Sequence, residues 1–307
     1  MRDAFVEALT LEAERNPNLV LITGDLGYGV LDKFSNRFPN QFINSGINEQ
    51  TMMGMAAGFA STGKKVFVYS IGNFSTLRCL EQIRNDVCLM NNSVVVVSVG
   101  AGYAYGSQGY SHHALEDIAI MRSLPNMEVI APADPLETEL ITKFLCDSDK
   151  PAYLRLGKSK ELHIHRAPFE FAPGKIVEVL SGLEGTILFS GSIGTVALKA
   201  HAELANKGID VAVASVPFIS SLDENYLDEA FDKGPVITVE EHGKSGGFGS
   251  AILEYASEKM TFPRVGVISS SRENLSLVGD QDYLRETNGI TELRIVEKFM
   301  ALKEVKA

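Results

Sequence analysis

The segment Ser93-Val-Val-Val-Val-Ser-Val99 constrains the fold of this chain more than any other. It is almost wholly apolar and β-branched, and no polar alternation marks a face toward water. Such a run reads as a strand buried on both faces, the situation of a parallel sheet covered by helices on each side. The flanking sequence agrees. Phe5, Val6, Leu9 and Leu11 recur at helical spacing across residues 2–15, and the short strand Leu19-Val-Leu-Ile-Thr23 follows. That strand ends in the turn-rich Gly24-Asp-Leu-Gly27. A helix over 48–62, the strand Lys65-Val-Phe-Val-Tyr69 and a helix over 75–90 precede the valine run. Helix 114–123, strand 127–131, helix 135–146 and strand 152–156 come after it. Alternation of this kind predicts an α/β fold.

Periodicity lapses over residues 157–174, which carry Lys158, Lys160, Arg166, Pro168 and Pro173. A second alternation begins at Lys175, with strands at 175–180, 185–190, 209–215, 235–240 and 264–268 and helices near 194–207, 223–232 and 247–259. The reading is two doubly wound domains with mostly parallel sheets, 1–165 and 175–307, joined by a linker at 166–174. Each is long enough to bury its own core.

Composition narrows the function classes. Of 307 residues, 45% are hydrophobic and 22% charged, an ordinary globular mix. A net charge of −11 argues against nucleic acid and anionic membranes as general partners. No apolar run reaches the ~18 residues of a membrane-spanning helix. The charged opening MRDAFVEALTLEAERNPN has no signal-peptide core. Cys79, Cys88 and Cys146 show neither zinc nor CxxC spacing, and read as reduced core thiols of a cytoplasmic protein.

Three segments hold residues suited to chemistry. In Asn44-Ser-Gly-Ile-Asn-Glu-Gln50, Glu49 sits where a strand passes into a helix, the edge at which parallel sheets bind ligands. A carboxylate there serves equally as a helix cap favoured by the helix dipole. The loop Gly100–His113 follows the valine strand, with four glycines up to Gly109, three tyrosines and a His pair. Glycines allow close approach of backbone to a ligand, and His112 and His113 titrate near neutrality. Solvated loop histidines explain the pair as well. No carboxylate or Cys cluster at ligand spacing accompanies the adjacent histidines, so no metal site is expected. Finally, Gly243-Lys-Ser-Gly-Gly-Phe-Gly249 opens a helix and can cradle an anion, but it lacks phosphate-loop spacing. Tight strand–helix packing accounts for its glycines too.

In combination these pieces resemble the transketolase family of thiamine-diphosphate enzymes. The resemblance rests on Leu21-Ile-Thr-Gly-Asp-Leu26, Gly46-Ile-Asn-Glu-Gln50, Ala56-Ala-Gly58, Tyr110-Ser-His-His113, Arg122-Ser-Leu-Pro-Asn-Met127, Ala131-Pro-Ala-Asp134, Val239-Glu-Glu-His-Gly243 and Gly246-Gly-Phe-Gly-Ser250. It implies a pyrimidine-binding domain followed by the family's C-terminal domain. Glu49 matches the catalytic glutamate that hydrogen-bonds N1′ of the cofactor's aminopyrimidine and so activates the thiazolium carbon. The cofactor supplies the carbanion chemistry, and the protein supplies proton transfer and geometry. His112 matches the histidine that contacts substrate oxygen, with His113 beside it. Phe74 matches the aromatic that stacks on the pyrimidine, with Ile71 and Tyr69 as neighbouring alternatives. Asp25 and Leu26 match a pair that reaches toward the cofactor.

Departures from the family are informative. Of the groups that hold a sugar phosphate, the first arginine would precede Met1. The serine and histidine positions fall on Gly29 and Gly100. Lys158, with Arg155 nearby, remains for the last arginine, and a lysine is a point charge rather than a bidentate fork. The aspartate that reads the donor hydroxyl aligns with Gln108. The family's domain for the diphosphate and its Mg2+ or Ca2+, with its G-D-G element, has no counterpart, since Gly24-Asp-Leu26 lacks the second glycine. The resemblance therefore implies the C-terminal subunit of a split transketolase, paired with an N-terminal subunit that carries the metal. Such an enzyme transfers a two-carbon ketol unit between sugars, as a heterotetramer self-associating through the C-terminal half of this chain. A beta subunit of a 2-oxo-acid dehydrogenase, a 1-deoxyxylulose-5-phosphate synthase-like enzyme and a non-catalytic scaffold are the alternatives.

Overall fold

The computed structural model describes residues 1–158, 161–165, 169–259, 262–271 and 273–305. Lys160, Arg166 and Pro168 of the expected linker region lie outside the described residues. The first half runs α1 (Arg2–Arg15), β1 (Leu19–Thr23), α2 (Asp32–Arg37), β2 (Phe42–Asn44), α3 (Glu49–Ser61), β3 (Lys65–Ile71), α4 (Gly72–Thr76), α5 (Leu80–Gln82), β4 (Val94–Val99), α6 (Asp117–Arg122), β5 (Glu128–Ile130), α7 (Pro135–Asp147) and β6 (Ala152–Leu156). The second runs β7 (Val177–Leu180), β8 (Thr186–Phe189), α8 (Gly194–Asn206), β9 (Ala212–Ser215), α9 (Glu224–Lys233), β10 (Val236–Gly243), α10 (Phe248–Ser257), β11 (Val265–Ser270), α11 (Gln281–Thr287) and α12 (Glu292–Glu304).

The valine run lies in the middle of the first sheet, whose order is β2-β1-β3-β4-β6-β5 with every pairing parallel. Its side chains alternate between two cores. Val94 and Val96 pack with Met52, Met53 and Ile83, whereas Val95 and Val97 pack with Phe5, Leu9 and Ile141. Each fully buried valine contributes about 1.5–3 kcal/mol relative to exposure, so both faces hold this strand in register. The second sheet, β11-β10-β8-β9-β7, is parallel except for the antiparallel edge strand β7.

The single helix expected over 75–90 is replaced by α4, α5 and a π-helical stretch, Ile83–Leu89. The wider turn lets Ile83, Val87 and Cys88 all face the core. The three cysteines are free and buried, and burial pushes the Cys79 and Cys146 thiols up to about 12 and Cys88 to about 11. Among the described residues no helix is long and apolar enough to cross a membrane.

Buried polar side chains near the seam between the sheets brace the second half internally and, through Glu241, fasten it to the first. The Glu240 carboxyl accepts from the backbone N–H groups of Phe248 (2.6 Å) and Gly249 (2.8 Å). The glycine loop thus receives a carboxyl from its own chain, and a Cβ at Gly247 would strike Glu240. Glu241 accepts from the Tyr103 N–H (2.5 Å), Gln281 Nε2 (2.8 Å) and Arg285, which ties the histidine loop to α11.

Candidate active site

Because the first sheet is wholly parallel, the carboxyl ends of its strands share one edge. Glu49, Phe74, His112 and Lys158 all follow those ends, on the chain leaving β2, β3, β4 and β6. Asn44 organises the turn before Glu49, its Oδ1 accepting from the N–H groups of Asp25 (2.9 Å) and Gly46 (3.0 Å). Asn48 caps α3, its Oδ1 accepting from the Thr51 N–H at 3.1 Å. With that duty met by Asn48, the Glu49 carboxylate is left for another partner.

Glu49 is only 5% exposed, yet its one ion-pair partner among the described residues comes from the solvent side. Arg78 Nη1 donates to Glu49 Oε2 at 3.0 Å, and the Arg78 guanidinium also lies 4.3 Å from the centre of the Phe74 ring. Phe74 meets the His112 ring edge-on at 5.2 Å. The Tyr105 ring stands 6.3 Å beyond His112, and Lys158 Nζ is 4.8 Å from the Tyr105 ring centre. Asn73 Nδ2 donates to the carbonyls of Ser111 (3.3 Å) and His113 (2.7 Å), tying α4 to the histidine loop. A continuous line of side chains therefore runs from Glu49 to Lys158.

Desolvation, with His113 and Arg78 close by, holds the His112 pKa below the usual imidazole value. His112 is therefore neutral near pH 7 and can both donate and accept a proton. Its Nδ1 lies 3.0 Å from Ser111 Oγ. Gly100, at φ +94°, must be glycine, because a Cβ would run into the Tyr105 ring. Tyr105 thus fills the space beside the position where the resemblance would put a phosphate-holding histidine.

Asp25 and Leu26 sit beside this line. With Ile71, Tyr69, Tyr105 and Arg2 they border a cleft of about 310 Å³. The Asp25 carboxylate accepts from Tyr28 Oη (2.5 Å) and Asn44 Nδ2 (3.0 Å), which holds its pKa below the usual carboxylate value. Gln108 lies exposed in a 3-10 turn of the histidine loop.

Two expected substrate contacts point elsewhere. Arg155 is not available to a ligand: it is 2% exposed, pairs with Asp117 at 2.7 Å, and donates to the carbonyls of Ala114 (2.8 Å) and Glu241 (3.0 Å). Residues alternate in direction along β6, which sends this side chain into the seam. His113 is 1% exposed under its loop, where its Nε2 lies 3.2 Å from the Gly106 carbonyl and its ring packs against Tyr103. Its buried Nδ1 has no hydrogen-bond partner among the described residues. Conversely, Arg78 is a member of the site that the motifs did not single out. Its position four residues after Phe74, one helical turn on, was the available signal. Among the described residues no group of three or more His, Cys, Asp or Glu side chains is arranged to hold a metal ion.

The chain belongs to the transketolase family. Residues 1–161 match the transketolase pyrimidine binding domain and residues 174–273 the transketolase C-terminal domain. It is similar to a subunit of the apulose-4-phosphate transketolase of Phocaeicola vulgatus, with 36% identity over 84% of this chain and 83% of that protein. A 6-deoxy-6-sulfo-D-fructose transketolase subunit of a Clostridium species is 33% identical over 100% of this chain and 95% of its own. Among solved structures, a split gene transketolase in the form of an inactive beta4 tetramer superposes with a TM-score of 0.88 at 33% identity, covering 99% of this chain and 98% of its own.

Proposed function

We propose that this chain is the cofactor-activating subunit of a two-chain, thiamine-diphosphate-dependent transketolase that moves a two-carbon ketol unit from a ketose to an aldose. The observation that carries this reading is the buried Glu49 carboxylate beside the Phe74 ring, with neutral His112 next along the edge. This donor set fits an aminopyrimidine, which needs a carboxyl at one ring nitrogen and a flat apolar face. When bound, thiamine diphosphate supplies the carbon nucleophile. Glu49 holds a proton at the ring nitrogen, and Phe74, with Ile71 at its side, orients the ring. Asp25 and Leu26 border the approach from the cleft. His112 takes and returns protons at the substrate oxygens, and Lys158 and Gln108 meet the polar end of the sugar. The diphosphate and its Mg2+ or Ca2+ are assigned to the partner subunit, in keeping with the naming of the relatives as subunits. The solved relative, an inactive tetramer of one chain type, supports self-association of this subunit and dependence on a second.

Reconstitution is the test. This chain, mixed with a subunit carrying the diphosphate- and metal-binding domain, should show ketose cleavage that requires thiamine diphosphate, and neither chain alone should turn over. Turnover by this chain by itself sinks the two-subunit reading, and absence of thiamine-diphosphate binding by the complex leaves only a scaffold. Glu49→Gln in the complex should lower kcat by about 10²–10⁴, the range of a lost general acid–base group.

A further inference from the structure

We propose that Arg78 is an internal stand-in for the aminopyrimidine, holding the slot between Phe74 and Glu49 until the cofactor displaces it. The inference rests on the reading of Glu49 and Phe74 above. It is carried by two contacts of one guanidinium, 4.3 Å from the Phe74 ring centre and 3.0 Å from Glu49 Oε2. A guanidinium is a flat cation with N–H donors in its plane, so it stacks and donates to a carboxylate simultaneously. An aminopyrimidine ring makes the same pair of contacts, one to an aromatic face and one to a carboxyl. Both cannot occupy one slot.

The remaining features suit a group that leaves. The Arg78 side chain is 52% exposed, whereas that of Glu49 is 6% exposed. Arg78 has no other side-chain hydrogen bond or ion pair among the described residues, and it follows the short α4 rather than sitting inside a long helix. Without Arg78, Glu49 would be a nearly buried charge with no cation beside it, which is costly. The guanidinium therefore offsets that cost while no cofactor fills the slot. Displacement swings Arg78 out of the slot as the ring nitrogen takes its place beside Glu49.

The test is calorimetric titration of thiamine diphosphate into the reconstituted complex at pH 7.5, which reads affinity directly. Arg78→Met removes the competitor and its charge, so affinity should tighten roughly three- to tenfold, the scale of one exposed ion pair plus one cation–π contact. Arg78→Lys keeps the charge without the flat face, and should lie between the two. An Arg78→Met complex that assembles normally but binds the cofactor equally or more weakly overturns the stand-in role. Glu49→Gln separates the two levels of inference: if it leaves both cofactor affinity and turnover at the wild-type values, the reading of Glu49 itself is wrong.

Discussion

The carboxyl edge of the first sheet and the seam between the two sheets both gather charged residues, and they treat them in opposite ways. In the seam, Arg155, Asp117 and Glu241 are at most 4% exposed, and each is held by several partners. At the edge, among the described residues, Glu49 pairs with a single, half-exposed cation, and Lys158 stands over the face of Tyr105. Saturated groups hold the halves together, while sparsely bonded groups retain the capacity to bind something else. Conspicuous sequence motifs lie in both places, so bonding state, rather than residue type, separates architecture from chemistry.

The strongest way to break this contrast is Arg155→Met. Removing one partner from a buried ion pair leaves Asp117 uncompensated, at a cost of about 3–5 kcal/mol. Urea denaturation should show that loss, whereas Glu49→Gln should leave the unfolding midpoint within error and lower kcat by about 10²–10⁴. If Arg155→Met instead keeps its stability and raises KM, Arg155 belongs to the site and the contrast fails.

A somewhat smaller effect follows from His242. Burial, opposed by Asp117 at 3.8 Å, lowers its pKa from 6.5 to about 4, so the folded chain holds it neutral. Its Nδ1 donates to the Gly243 carbonyl (2.7 Å), and its Nε2 accepts from the Ala119 N–H (3.4 Å). Because the folded pKa is depressed, unfolding takes up a proton between the two values. The stabilisation is complete above about 6.5 and is lost as pH falls toward about 4, amounting to about 3 kcal/mol. His242→Gln should flatten that slope in pH-dependent melting curves; an unchanged slope removes His242 as its source.

The smallest effect is expected at the rim. Lys158→Met should raise KM for an anionic sugar about two- to fivefold, the scale of an exposed charge contact, with kcat little changed. Steady-state kinetics at two ionic strengths would check this, since the wild-type advantage should shrink in salt.

Much of this arrangement was legible from local pattern. Leu19–Thr23 and Ala152–Leu156 are strands at the residues expected, because short, almost wholly apolar runs in an alternating chain have few other ways to bury themselves. The strand before Glu49 was expected without bounds, since the three residues Phe42–Asn44 carry no period. The long helix over 75–90 fragmented because Ile83, Val87 and Cys88 need a wider turn than an α-helix offers to share the core.

The candidate site divides along the same line. The sequence by itself pointed to a parallel sheet whose strand ends deliver Glu49, Phe74, His112 and Lys158 to one edge, since apolar runs and helical periods are local patterns and a helix between two strands lays them parallel. Only the tertiary structure decided which charged groups remain free. Arg155 meets Asp117 across 38 residues, Glu241 meets Tyr103 across 138, and His242 meets Ala119 across 123. Likewise Arg78 reaches Glu49 across 29 residues, and Asn48 relieves Glu49 of capping. Whether a charge is satisfied depends on neighbours that chain separation hides, and satisfaction is what distinguishes a group that holds the fold from one left free to do chemistry.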